Sequence, residues 1–398
     1  MRSARRTLIK VKVSRRTSAR LGLLRLAARG LAPAIGKPPA CIARVLLLRP
    51  DHVGDVLLTA PAVALIRASL PAAHLTYVVG PWSVEAARYG PAVDRLRTLA
   101  FPGFARRGNV NVLAPYVLLA REAARLRRER FDLAIVLRPD HWWGALLAMA
   151  AGIPIRVGGN TPEASPLLTH TQPTAVGKHA VEQSLDMARM ALHAAGVVPA
   201  EVATVQSFAV GDSAREAAEE FWASKGLHGK RVVAIQPNAG APLKSWPIAH
   251  WALLADGIAN LGAAVLLTGA PTDRPILKEI ESRMARPPTA LACGQPLNIS
   301  AALYQRCVLL VGPDGGAAHL AAAVGTPTLR LYGPAPVEVF GPSPPRSDQR
   351  VLVGHGLACV PCGHLESPPC GATTLPACML ALGVEDVLNA VKAQLDQG

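Results

Sequence analysis

The stretch Val308-Leu309-Leu310-Val311-Gly312-Pro313-Asp314-Gly315-Gly316-Ala317-Ala318-His319-Leu320-Ala321-Ala322-Ala323-Val324-Gly325-Thr326-Pro327-Thr328-Leu329-Arg330-Leu331-Tyr332 decides the fold. An aliphatic run ends at Val311, two glycines open the backbone, and a segment of small residues over 315–324 suits a helix. Gly325-Thr326-Pro327 then breaks that helix, and Thr328–Tyr332 forms a second aliphatic run. Two strands joined by a helix in so short a span form a parallel β-α-β unit.

Outward from this unit the same alternation continues. Upstream, strands are expected at Arg231–Gln236, Ala264–Thr268 and Thr289–Cys293, with helices over 247–261, 272–285 and 298–306. An amphipathic helix from Val384 to about Leu395 closes the chain. The first half repeats the pattern, with strands Arg44–Leu48, Leu75–Val79, Arg95–Leu99 and Phe131–Leu137 and helices over 55–69, 82–90 and 114–130. Residues 155–210 are less regular, with one helix near 179–195, and the polar helical segment Asp212–Lys225 precedes the second series. The reading is α/β, with two doubly wound, Rossmann-like domains facing each other across a cleft. The boundaries are a tail over 1–40, an N-terminal domain over 41–210, a linker helix over 211–227 and a C-terminal domain over 228–398. In such folds ligands bind beyond the carboxyl ends of the strands, so the loops there are where chemistry is expected.

Composition narrows the class. In 398 residues half are apolar and 17% are charged, which excludes a disordered polyelectrolyte. The longest apolar run, Trp142 to Ile155, reads as a buried helix entering a strand and is too short to span a bilayer. The net charge is +15, but ten Lys/Arg and no acid fall in residues 1–30, leaving +5 for the rest. That basic tail, with leucines interspersed, suits either an anionic membrane surface or a disordered, solvated extension. The core has few aromatics for base stacking, so no nucleic-acid partner is expected.

Several familiar signatures are missing. There is no G-x-G-x-x-G after a strand, no phosphate-binding loop with Gly-Lys-Ser/Thr, no G-x-S-x-G and no Asp-x-Asp. Three strand-end loops carry the signal instead. The first runs Arg49-Pro50-Asp51-His52-Val53-Gly54-Asp55, where Gly54 permits close backbone approach and Asp55 sits at a helix start. Asp55 there also suits a simple N-cap. The second, Pro237-Asn238-Ala239-Gly240-Ala241-Pro242-Leu243-Lys244-Ser245-Trp246-Pro247, offers a cation and free backbone N–H groups to a phosphate. The third, Gly312 to Leu320, places Gly315 and Gly316 at a helix start, with His319 one turn in, facing either cleft or core.

Together these loops resemble glycosyltransferase family 9, the heptosyltransferase-type enzymes of lipopolysaccharide synthesis. The resemblance covers about residues 44–392. It rests on R-x-D-x-x-G-D-x-x-x-x-x-P (Arg49 to Pro61), the K-x-W-P turn (Lys244 to Pro247), L-T-G-A-P-x-D (Leu267 to Asp273) and the third loop through Thr328. Leu331-Tyr332-Gly333-Pro334 and Phe340-Gly341-Pro342 extend it. It implies a GT-B fold and an inverting transfer that requires no metal cofactor. The first domain would hold the acceptor, with Gly54 and Asp51 in its loop and Asp55 as general base. Lys244 would bind the donor's phosphate, with Asn238, Gly240, Asp314, Gly315, Gly316, His319 and Asp273 completing the donor site. The implied donor is a nucleotide sugar, ADP-heptose above others, and the acceptor a lipid-linked saccharide. Such an enzyme would be cytoplasmic and peripheral on the inner face of the bacterial inner membrane. Pro313-Asp314-Gly315-Gly316 departs from the family's usual Asn-Asp-Thr-Gly by losing a threonine hydroxyl. Transfer from another nucleotide sugar, or a non-catalytic nucleotide-sugar-binding paralogue, therefore stays open.

Seven cysteines complete the reading. Cys359, Cys362, Cys370 and Cys378 cluster in the segment 355–378, with His355 and His364 nearby. They suit either a structural zinc site or free or paired thiols.

Overall fold

The computed structural model describes residues 21–22, 24–26, 29–30, 37–104, 113–173, 177–354 and 356–397. Most of the basic tail therefore lies outside the described residues, as does His355.

The first half holds β1 (Arg44–Arg49), α1 (Val53–Ser69), β2 (His74–Val79), α2 (Val84–Arg88), β3 (Arg95–Thr98), α3 (Ala114–Glu129), β4 (Leu133–Val136), α4 (Trp142–Ala150), β5 (Ile155–Gly159), β6 (His170–Gln172) and α5 (Ala180–Ala194). Helix α6 (Asp212–Ser224) leads to β7 (Val232–Ile235), α7 (Ile248–Asn260), β8 (Ala264–Gly269), α8 (Arg274–Arg283), β9 (Ala290–Cys293), α9 (Leu297–Gln305), β10 (Leu309–Pro313), α10 (Gly316–Ala323) and β11 (Thr328–Tyr332). Then come α11 (Val337–Phe340), β12 (Gln349–Val353), α12 (Ala377–Leu380) and α13 (Val384–Leu395).

Each half is a six-stranded sheet. The orders are β3-β2-β1-β4-β5-β6 and β12-β11-β10-β7-β8-β9. These are one topology used twice, and every pairing is parallel. The strand order reverses between β1 and β4 in one sheet and between β7 and β10 in the other, and at such a switch point a crevice opens. The three loops singled out above follow β1, β7 and β10.

The sheets are buried on both faces, so their central strands are continuous aliphatic runs whose successive side chains enter different cores. Val45 and Leu47 point into a core shared by both halves, whereas Leu46 and Leu48 join a core confined to the first half. Val233 and Ile235 feed a third core, beneath α7 and α13.

Two edge strands were not anticipated. Both β6 and β12 pair on one side only and are half-buried or exposed along most of their length. They lack the aliphatic run that marks a central strand. Helix α1 also starts two residues earlier than expected, so His52 holds the N-cap position and Asp55 lies in the first turn.

Candidate functional site

The three loops meet. A Cβ built on Gly54 would lie 3.2 Å from His319 Cδ2 and 3.4 Å from Gly316 Cα, and one on Gly315 would lie 3.5 Å from Ala239 Cβ. The N-termini of α1 and α10 therefore abut across the cleft, with the turn after β7 beside them. Only glycine lets two backbones approach so closely.

On the first lip, Asp51 is buried and Asp55 faces the cleft with a side chain 35% exposed. Arg49 Nε lies 2.9 Å from Asp51 and its Nη2 lies 3.7 Å from Asp55, while Nη1 donates to the carbonyl of Leu137 at 2.5 Å. Arg138 pairs with the other oxygen of Asp51. Burial works to raise Asp51, but Arg49 and Arg138 outweigh it and hold the carboxyl below the ordinary value. Asp55 goes the other way: burial and then the charge of Asp51 raise it, against the pull of Arg49, Arg138 and Lys244. A carboxylate with raised proton affinity, aimed into a cleft, is suited to accept a proton.

On the second lip, Lys244 ends the short 3₁₀ turn Pro242–Lys244 and pairs with Asp314 Oδ2 at 2.5 Å. Asp314 is buried, with His319 Nε2 at 3.6 Å and the Tyr332 hydroxyl at 3.2 Å from Oδ1. Burial alone would raise its pKa; His319 and Lys244 reverse that and keep it firmly ionised. Trp246, buried against Trp251, anchors the lysine turn by donating from Nε1 to the carbonyl of Leu382 at 3.0 Å. This lip thus sets one cation beside the start of α10, whose N-cap Gly315 brings no side-chain cap, a combination suited to an anion.

Asn238 and Asp273 pair with each other. Asn238 Nδ2 donates to Asp273 Oδ1 at 2.6 Å, and Asp273 Oδ2 accepts from the amide of Ala270 at 2.9 Å. Asp273 is buried and caps the turn before α8, so the pair braces the loop. Gly240 is exposed on the same loop.

Arg49 and Arg138 were not singled out as site residues. The available signal was the tripeptide Arg-Pro-Asp, which occurs at Arg49–Asp51 and again at Arg138–Asp140, at the ends of two adjacent strands. His141 was also missed. It is buried among Phe101, Phe104 and Trp143, and burial pushes it down to about 4.

The zinc expectation finds no support. Among the described residues no three His, Cys, Asp or Glu side chains are grouped as a metal ion requires. Cys378 is buried at the start of α12 under Gly333, whereas Cys359 and Cys370 are exposed and Cys362 is half-buried; all four are free thiols.

Comparison with known proteins is consistent with this arrangement. The chain is 25% identical over 321 residues to the lipooligosaccharide heptosyltransferase 2 of Haemophilus influenzae, covering 78% of this chain and 88% of that protein. The crystal structure of a family 9 glycosyl transferase from Veillonella parvula superposes with a TM-score of 0.74 at 23% identity, covering 91% of this chain and all of that one. The ADP-heptose lipopolysaccharide heptosyltransferase II of Escherichia coli has a TM-score of 0.68 at 22% identity, covering 89% and 99%. These two structures speak to the fold, and a profile match over residues 119–369, well over half the chain, speaks to the lineage. The chain belongs to glycosyltransferase family 9, the heptosyltransferase family.

Proposed function

We propose that this glycosyltransferase moves heptose from ADP-heptose onto a lipopolysaccharide-type acceptor by an inverting displacement that needs no metal. The observation that carries the reading is the juxtaposition across one cleft of a carboxylate with raised proton affinity, Asp55, and a cationic lip, Lys244 with the start of α10. The first domain holds the acceptor and the second the donor. Asp55 takes the proton of the acceptor hydroxyl as its oxygen attacks the anomeric carbon. The bond to the β-phosphate oxygen breaks on the opposite face, and Lys244 and the α10 amides stabilise the departing diphosphate. Lys244 carries three N–H donors and can hold Asp314 and a phosphate oxygen together. Asp51 is engaged by both Arg49 and Arg138, which leaves Asp55 as the carboxylate of this lip suited to take the proton. The ADP-heptose choice is supported by the E. coli protein of the same fold, named as acting with that donor.

A membrane-surface acceptor is supported by α3 and its approach. Leu113, Tyr116 and Val117 are 68%, 53% and 66% exposed, followed by exposed Arg121, Arg125 and Arg128. The start of α3 is tied to α4, since Trp143 donates to the carbonyl of Pro115 at 3.2 Å. Apolar side chains flanked by arginines suit anionic lipid. No helix of the described residues is long and apolar enough to cross a membrane.

The first test is calorimetric titration of purified protein with ADP, UDP, GDP and CMP without added metal. ADP selectivity is expected. Selectivity for UDP or GDP would discard the heptose donor and favour another nucleotide sugar, a reading suggested by the missing threonine hydroxyl at Gly315. Transfer with retained anomeric configuration, read by NMR of the product, would overturn the inverting mechanism. Co-sedimentation with phosphatidylglycerol vesicles should be lost in Leu113→Asp/Val117→Asp, and binding unchanged from wild type would remove α3 from the lipid contact.

A further inference from the structure

The face of β11 that carries residues 328, 330 and 332 is polar, although the strand lies in the middle of a buried layer. Arg330 in its centre is completely buried beneath α10. Its Nε donates to Thr328 Oγ1 at 3.1 Å, and its Nη2 lies 3.3 Å from both the Ala318 carbonyl and Gln349 Oε1. Its Nη1 lies 3.4 Å from His319 Nδ1. All four partners are uncharged acceptors. A buried guanidinium without an adjoining carboxylate is costly, so its position calls for a reason.

The reason follows from the chemistry of the contact with His319. A guanidinium has only donors and stays protonated at any working pH. Nδ1 of His319 must therefore offer a lone pair to it. A neutral imidazole with a bare Nδ1 carries its proton on Nε2, and that nitrogen faces Asp314 Oδ1 at 3.6 Å. Asp314 in turn holds Lys244 through Oδ2. Four side chains from three segments thus form one line of alternating donors and acceptors: Arg330, His319, Asp314, Lys244.

We propose that Arg330 is a positioning residue, which locks His319 in its neutral Nε2–H form so that Asp314 stays a carboxylate aimed at Lys244. The role assigned to Lys244 rests on the functional reading above; the state of His319 does not.

Electrostatics around the ring agree. Burial pushes His319 down to about 4, the charge of Arg330 adds to that, and Asp314 opposes it. The charged and titratable groups facing this line are Asp314 from the end of β10, Arg330 and Tyr332 from β11 and Lys244 from the turn after β7. From the first domain, Gly54 brings uncharged backbone against the ring, and His179, the N-cap of α5, senses Arg330 while pairing with the carbonyl of Gly341 at 3.0 Å. With Arg330 gone, nothing keeps Nδ1 bare. The ring stays neutral in its buried site but can carry its proton on Nδ1, which turns the Nε2 lone pair toward Asp314 and removes the donor facing that carboxylate.

The test is nitrogen-15 imidazole NMR of the ligand-free, full-length protein, compared with Arg330→Met, together with ADP titrations between about pH 5 and 8. In the wild type the Nε2–H tautomer is expected, with no titration of His319 in that range. In Arg330→Met a substantial share of the rings should carry the proton on Nδ1, still without titrating in that range. ADP affinity should fall at least about threefold in Arg330→Met, and in a His319→Gln background Arg330→Met should have no further effect on it. An Nδ1–H or cationic ring in the wild type overturns the proposal without any variant having to fold. So does an Arg330→Met spectrum identical to wild type. If the tautomer is found and ADP does not bind, the relay stands and the role of Lys244 falls.

Discussion

At the residue scale the acid–base logic rests on two neighbouring aspartates driven apart. Asp51 is saturated by arginines and Asp55 is left with the higher proton affinity. The acid limb of the kcat/KM profile should therefore lie above the ordinary carboxylate value of about 4. Asp55→Asn should reduce transfer by at least about 100-fold while leaving ADP affinity nearly unchanged. Surviving transfer would remove Asp55 as the base. A folded-state pKa raised above the unfolded value means that ionised Asp55 costs stability once pH exceeds it. Asp55→Asn should consequently raise Tm at pH 7 to 8, and the gain should vanish below about pH 4, as differential scanning fluorimetry at the two pH values would show. Lys244→Ala should do the opposite: an ADP affinity about 10- to 100-fold weaker by calorimetry, and a lower Tm because Asp314 is left buried without its lysine.

At the element scale, helix starts do most of the positioning. The α1 and α10 termini touch through Gly54 and Gly316, and α9 is capped from the other domain: the amide of Leu297 donates to Glu85 Oε2 at 2.7 Å. Glu85→Ala should cost about 0.5–2 kcal/mol by denaturant titration. A loss within error would mean that water satisfies that amide equally well. The elements legible beforehand were those whose both faces are apolar, such as β1, β7 and β10. The edge strands β6 and β12 were not, because a strand paired on one side needs no second apolar face. The setting of Asp273 was illegible for a related reason. Its spacing after β8 suits a ligand contact, yet the partners that turn it inward, Asn238 and Ala270, belong to loops brought together only by the sheet.

At the scale of the whole molecule, the two halves share a core. Ala218 and Trp222 of α6 join Ala188 and Leu192 of α5 to Leu303 and Tyr304 of α9. The segment expected to be a linker helix is therefore part of the packing between halves, with the Arg306 guanidinium 5.2 Å over the Trp222 ring. Calorimetry should show one unfolding transition, and Trp222→Ala should lower its stability by about 3–5 kcal/mol. Two resolved transitions, with the variant affecting only one, would show that the halves unfold independently.

What the sequence by itself determined is the parallel α/β architecture and the three loops that line the cleft. Buried central strands must be aliphatic, and a backbone that approaches another backbone must be glycine, so both leave local marks. The tertiary structure alone decided which side chains those loops use on one another. Arg138 reaches Asp51, Lys244 reaches Asp314 and Arg330 reaches His319 across gaps in the chain that no local pattern records. Charge and proton affinity depend on what lies within a few ångströms in space, and only the folded sheet brings those groups together.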